Sequence, residues 1–302
     1  MLRIYSILHP VAYTVKDVDS VLVKWFFTTL SDPLTQSIIA ILLVFGQAIL
    51  INSLGNGHRL YRTPNALAGM FYILLVSSLT DLQILSPALV GLTFILIAIF
   101  YIFKTYKMTV AAASIFNAAL ASAFAAIIYP PYFIAILAIF MGLTMMRNFK
   151  LIERIQFMVG YGVLLWIFGV LLFYYDLLSV QTFAFLSFPG VLNQISWLEP
   201  KTLWTLGSVL FLVFLSLLNY YNFVKKKGID VRKKIGFFYW FLACSLIALV
   251  FFQGLGYQHF FFVATSFAVF LAMTTLLIKN RLLSELLHLF LLVGVFYLQF
   301  GL

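Results

Sequence analysis

Long unbroken apolar runs, divided by short polar or charged connections, dominate the pattern along this chain. A helix crosses a hydrocarbon core about 30 Å thick with roughly 20 apolar residues. Ten runs approach that length, at roughly 36–54, 66–80, 87–103, 109–128, 132–146, 155–175, 202–223, 236–252, 259–278 and 283–301. The second and fifth are short and can borrow flanking residues such as Leu82–Leu85. The runs do not alternate apolar with polar residues, so a long-stranded membrane barrel is not expected. The pattern predicts an all-α, polytopic integral membrane protein of about ten transmembrane helices. Residues 36–302 then form a single transmembrane domain, since no connection is long enough for a soluble domain of ordinary size.

Composition sharpens this picture. Of 302 residues, 64% are hydrophobic, 18% aromatic and 9% charged, with a mean hydropathy of +1.08. A soluble domain carries roughly 25% charged residues, so a water-soluble globular protein is excluded. Disorder is excluded too, because disordered chains are poor in aromatic and branched residues. The lone cysteine, Cys244, can form neither an intramolecular disulfide nor a cysteine metal cluster. The net charge of +10 would suggest nucleic acid in a soluble protein. In a membrane protein it reflects cationic cytoplasmic loops, and no nucleic-acid partner is expected. The first apolar stretch, Val21–Leu30, contains Lys24 and lacks a small-residue cleavage site, so no cleavable signal peptide is read.

The connections alternate in charge. With the first one taken as cytoplasmic, that side carries Arg59, Arg62, Lys104, Lys107, Arg147, Lys150 and Arg154. It also carries Lys225, Lys226, Lys227, Arg232, Lys233, Lys234, Lys279 and Arg281, making fifteen of the 19 basic residues. The other side holds Arg3, Lys16, Lys24 and Lys201, together with Asp17, Asp19, Asp32, Asp81, Asp176 and Glu199. This is the positive-inside pattern, and it places both termini outside the cytoplasm. Residues 1–35 read as an external segment. In it Val21, Leu22, Trp25, Phe26 and Thr29 fall at helical spacing, suiting either a short helix in the interface plane or an ordinary ordered lead-in.

Candidate chemistry is sparse. Ionisable residues deep within a span are functional candidates, and this chain has almost none. Glu285 and His288 lie three apart near the start of the last run, where Glu285 can reach Arg281 one turn back. His259 begins the ninth run beside Gln253 and Gln258, while His9 and His58 fall in connections. Four scattered histidines make no metal site, and no cofactor is expected. The fourth run is built mostly of Ala and Ser around Asn117, which favours close helix packing with Asn117 as interhelical polar glue or as part of a substrate groove. It ends in Tyr129-Pro130-Pro131-Tyr132, where the prolines stop the helix and the tyrosines suit a headgroup region. Asp81 and Asp176 follow the second and sixth runs on the same external side. The long external loop contains Gln181, Asn193, Trp197 and Glu199 among apolar residues and could lie along the membrane. External carboxylates can act as general bases or simply remain solvated. The block KKKGIDVRKK at Lys225–Lys234 fixes orientation and attracts anionic lipid heads. The chain has no GxxxxGK[ST], GxSxG or HExxH motif.

One block carries a family resemblance. The block of about 66–150, read from Pro64, runs PNALAGMFYILLVSSLTD, LQILSPALVGLTFILIAIFYIFKTYK and SIFNAALASAFAAIIYPPYFIAILAIFMGLTMMRNF. In pattern and helix order this resembles the membrane core of the GT-C glycosyltransferases. With its YPP turn it also resembles a bacterial family of polytopic inner-membrane proteins with no known activity. The GT-C resemblance implies handling of a polyprenyl-linked sugar at the external leaflet with an external carboxylate as base. It makes Asp17, Asp19 and Asp81 the catalytic candidates. Asn117, Tyr129, Pro130, Pro131, Tyr132 and Asp176 are then the substrate or lipid contacts. The chain departs from the GT-C pattern by lacking a full span before residue 36, so catalysis could have been lost. Asp17-Val18-Asp19 matches a DxD spacing but is predicted to face outward. Two functions stay open: a membrane protein acting on or binding a lipid-linked sugar, and a non-catalytic membrane subunit of an envelope-assembly or secretion complex.

Overall fold

The protein is seen in a computed structural model that describes residues 3–16, 19–61, 63–178, 207, 211, 214, 217–225, 227–251, 256–278 and 280–300. All regular structure among these residues is helical. The α-helices are α1 (Ile4–Leu8), α2 (Val21–Thr29), α3 (Pro33–Gly57), α4 (Leu67–Val76), α5 (Pro87–Lys104) and α6 (Ala112–Ile128). They continue with α7 (Ala135–Met146), α8 (Leu151–Tyr174), α9 (Tyr220–Val224), α10 (Ile229–Phe251), α11 (Phe260–Leu277) and α12 (Arg281–Phe300).

Local chemistry sets several of these boundaries. Asp32 caps α3 by accepting a hydrogen bond from the Thr35 amide at 2.9 Å, and Pro33 occupies the first helical position, where no N–H is needed. Ser86 and Pro87 repeat this device at α5, with the serine hydroxyl accepting from the Leu89 amide at 3.3 Å. Ser20 does the same for α2.

Four helices, α3, α5, α8 and α11, are long and apolar enough to cross a membrane. The stretches Leu67–Val76, Ala112–Ile128, Pro130–Met146 and Leu282–Phe296 are apolar but shorter. The second predicted span departs furthest from expectation. Its ten helical residues reach only about 15 Å at 1.5 Å per residue, half a hydrocarbon core. Beyond Val76 the chain unwinds through Ser77–Ser86 with one 3-10 turn at Thr80–Leu82, and Leu82 and Leu85 are buried without extending the helix. The fifth span begins as a 3-10 turn over Pro130–Ile134 and becomes α-helical only at Ala135, because neither proline can donate to an α-ladder. Most of the seventh predicted span lies outside the described residues, as do Asp17 and the loop residues Gln181, Asn193, Trp197 and Glu199.

The connections gather at two ends. At one, residues 77–88, 129–134 and 256–259 meet the N-terminal segment 3–36. At the other, residues 58–61, 103–108, 147–154 and 225–234 meet one another. The second end holds the lysines and arginines of those connections, whereas the first has Arg3, Lys16 and Lys24 among its described residues. We refer to them as the cation-rich and cation-poor ends.

Burial sorts the helices between centre and periphery. Every residue of α11 from Phe261 to Thr275 is buried, and 83% of its apolar window is inside the protein, against 22% for α8. α11 packs against α4, α10 and α5. Ala118, Ala119, Ala123 and Ala125 of α6 are fully buried, which lets α5 and α8 come close on either side. The α6–α8 crossing requires Gly160: a Cβ there would lie 2.9 Å from the Phe116 ring and 3.0 Å from Ala119 Cβ. α8 turns Ile155, Val159, Trp166, Val170 and Phe173 outward. An apolar face of this extent suits lipid rather than water, and together with the apolar helices it marks a multi-pass membrane protein.

Candidate functional site

A buried polar cluster forms at the cation-poor end, where α4 stops short. A helix terminus leaves carbonyls without intrahelical donors. Arg3, 7% exposed, fills that gap. Its Nη2 donates to Leu82 O at 3.0 Å and to Val76 O at 3.3 Å, its Nε donates to Ser77 Oγ at 3.2 Å, and Nη1 reaches Gln83 O at 3.5 Å. Burial lowers the guanidinium to about 10, which leaves it charged at neutral pH. Deeper in the bundle, Tyr72 donates its hydroxyl hydrogen to Gln47 Oε1. Gln47 Nε2 donates in turn to Leu89 O at 2.7 Å and Thr93 Oγ1 at 2.9 Å.

The YPP turn forms the second part of this end. Tyr129 and Tyr132 are each 1% exposed, and both prolines are buried. Tyr132 donates to Ala88 O at 2.9 Å, which ties the turn to the start of α5. The Tyr129 hydroxyl lies 3.3 Å from His259 Nδ1 and 3.4 Å from Nε2, so it faces the imidazole edge and bonds one nitrogen at a time. The two tyrosine rings meet edge to face at 4.9 Å, and Phe262 closes the far side of Tyr132 at 5.4 Å.

The N-terminal segment completes the cluster. The Tyr13 hydroxyl donates to the Asp19 carboxylate at 3.1 Å, and Gln258 bonds the same hydroxyl. Asp19 Oδ2 also accepts from the Lys16 amide at 2.7 Å. The Tyr13 amide donates to Gln36 Oε1 at 2.8 Å, and Gln36 Nε2 donates to Leu30 O at 2.6 Å. Burial raises the Asp19 carboxyl above its usual range, with the Lys16 amide and Tyr13 opposing. Burial, and then the Asp19 charge, raises the Tyr13 phenol. Asp32 goes the other way: bonds from Thr35 hold its exposed carboxyl low.

The predicted site residues therefore divide. Asp19, Tyr129, Pro130, Pro131 and Tyr132 come together at the cation-poor end. Asp81 is exposed in the turn Thr80–Leu82, which packs against the turn Gly256–His259. Asn117 is twelve residues before Tyr129 on α6, about 18 Å away along the axis. It is half-buried and makes no interhelical hydrogen bond among the described residues. Asp176 is exposed beyond α8 in left-handed backbone at φ 55°. The main partners that sequence reasoning missed are Arg3 and Tyr13. His259 with Gln258 was visible there only as a polar pair opening an apolar run.

Chemically, this end is a closed hydrogen-bonded knot. Its carboxylate and phenols are spent on internal partners, and no group of three or more His, Cys, Asp or Glu side chains among the described residues could hold a metal ion. An open space lies elsewhere. A cleft of about 350 Å³ runs between α3, α4 and α12, lined by Phe45, Ile49, Asn52, Met70, His288 and Leu292 among others. Its walls are almost wholly apolar, and the α3–α4 side is held close by Gly69, whose amide donates to Asn52 Oδ1 at 2.7 Å.

No family model, curated protein or solved structure matches this chain. Its functional reading rests on its own residues and geometry.

Proposed function

We propose that this is a bacterial inner-membrane protein that threads the bilayer ten times with both termini external. On this reading it binds a polyprenyl-linked or similar lipid without transforming it. The observation that carries the reading is the contrast between the two candidate places. Asp19, Tyr129 and Tyr132, the groups that would work on a lipid-linked sugar, are committed to Tyr13, His259 and Ala88. The apolar cleft between α3, α4 and α12 is open and has the lining that a hydrocarbon or isoprenoid chain requires. The resemblance of the sequence over about 66–150 to the GT-C membrane core suggests a lipid of this class as the occupant.

The test is purification in mild detergent followed by mass spectrometry of extracted lipid. The expected result is a co-purifying polyprenyl or acyl lipid, depleted by Ile49→Trp in the cleft and retained by an Asp19→Asn, Asp81→Asn double variant. Release of free sugar from a lipid-linked donor by the purified protein, abolished in that double variant, would overturn the non-catalytic reading. Orientation is tested by reporter fusions at Tyr106 and Gln181, which should report the inside and the outside respectively.

The second reading, a membrane subunit of an envelope-assembly or secretion complex, is favoured by the exposed aromatic and aliphatic face of α8. A stoichiometric protein partner in the purified material, lost on Trp166→Ala, would support it over the lipid reading.

A further inference from the structure

At the cation-rich end three ammonium groups converge on one aromatic ring. The Nζ atoms of Lys107, Lys233 and Lys234 lie 5.6, 5.7 and 5.6 Å from the Tyr106 ring centroid. All three ammoniums thus lie around the same ring, and like charges so placed repel each other. Two features show how firmly the fold holds them there. Lys107 adopts left-handed backbone at φ 59°, a conformation that favours glycine, and its ammonium lies over the ring of its own neighbour. Lys234 is 5% exposed, and its ammonium donates to His58 Nδ1 at 3.2 Å, a neutral partner.

Carboxylates balance the set only in part. Glu153 is gripped by Arg147 through two contacts of 2.7 Å, and Asp230, one turn before Lys234, acts on Lys234 by its charge without a direct ion pair among the described residues. A buried ammonium normally keeps an anionic partner. Here three cations stand against the single charge of Asp230, so the set keeps a net positive charge.

We propose that the turn around Tyr106 is a phosphate-binding site, in which Lys107, Lys233 and Lys234 close around one phosphate group. That group belongs either to an anionic lipid headgroup at the membrane face or to a free phosphate. The site is separate from the apolar cleft and does not depend on what occupies it. Tyr106 serves as the platform that keeps the three side chains together through cation–π attraction. Lys234 contributes the desolvated charge, and Lys107 and Lys233 close from the solvent side.

The experiment uses the full chain in dodecyl maltoside, titrated separately with dioleoyl phosphatidylglycerol, dioleoyl phosphatidylcholine and inorganic phosphate, with bound species counted by native mass spectrometry. The expected result is one tightly held phosphatidylglycerol and no equivalent phosphatidylcholine. Each lysine near an anionic headgroup is worth about 1 kcal/mol, or about fivefold, so Lys107→Gln with Lys233→Gln should weaken binding about 30-fold. Neither of these side chains is fully buried, so the double variant folds even if Lys234→Met does not. The control pair, Lys225→Gln with Arg232→Gln, removes the same charge from the same end. Lys225 lies over Tyr221 instead, and Arg232 donates to Lys227 O. It should leave the affinity nearly unchanged. Competition by inorganic phosphate with the same dependence on Lys107 and Lys233 would assign the site to free phosphate, and its failure to compete would assign it to the lipid. Equal losses from both double variants, or none from either, would overturn the proposal.

Discussion

Replacing Arg3 is the sharpest test of how the cation-poor end holds together. Arg3→Ala would leave Val76 O, Leu82 O and Ser77 Oγ without the donors they have at 3.0–3.3 Å. Hydrogen bonds from a charged donor contribute about 1.5–3 kcal/mol each, which for three bonds is several kcal/mol before any offset. The desolvation of a buried guanidinium offsets part of this, so a net loss of about 3 kcal/mol is expected. In a chain of this length each kcal/mol moves the melting temperature by roughly 2–3 °C, so Arg3→Ala should melt about 6–9 °C lower. Arg3→Lys keeps the charge but not the planar fork, and should lose about half as much. Thermal unfolding in detergent, followed by tryptophan fluorescence, reads both variants. Amide exchange should localise the loss to Ser77–Gln83. A melting temperature for Arg3→Ala equal to that of the wild type would show that the α4 terminus is satisfied without the N-terminal segment, and the reasoning would fail.

Other consequences follow from single contacts. Gly160→Val must push Phe116 and Ala119 away from α8, and should cost about 1–3 kcal/mol, seen as lower thermal stability and a changed α6–α8 cross-linking pattern. Tyr129→Phe removes only the bond to His259 and should cost about 1 kcal/mol, leaving the fold intact by circular dichroism. His58 is pushed down to about 4, first by burial and then by the Lys234 charge. Its folded pKa lies below the unfolded value of 6.5, so its contribution is fully present above 6.5 and is lost as pH falls towards 4. Stability measured from pH 7 to pH 4 should therefore decline less steeply in His58→Gln than in the wild type. Asp19 shifts upward, so its contribution has the opposite sign: it favours the fold at acidic pH and is lost as pH rises through the folded pKa. Asp19→Asn should flatten that part of the same profile.

Much of the helix framework could be read locally. Asp-Pro at 32–33 and Ser-Pro at 86–87 mark helix starts by chemistry confined to four residues, and the paired prolines after Tyr129 mark a stop. The small residues of α6 announced close packing, and α6 is indeed flanked tightly by α5 and α8. What was not legible depends on partners far apart in the chain. Nothing near Val76 tells that Arg3, more than seventy residues earlier, will occupy its carbonyl. Nothing near Tyr129 names His259, 130 residues away. Hydrophobicity alone likewise does not tell that the apolar run at 66–80 is a ten-residue helix followed by buried coil.

The burial of α11 on all sides has a consequence for biogenesis. Residues 260–277 emerge from the ribosome after most of the other helices have been made, yet they fill the middle of the bundle. The earlier helices must therefore stay parted within the lipid, with a gap facing the insertion machinery, until this late segment slides between α4 and α10. Truncation just before Phe260 would leave a hollow assembly exposed to membrane proteases, and the length of chain synthesised, rather than any single contact, would set the moment at which the protein becomes resistant to them.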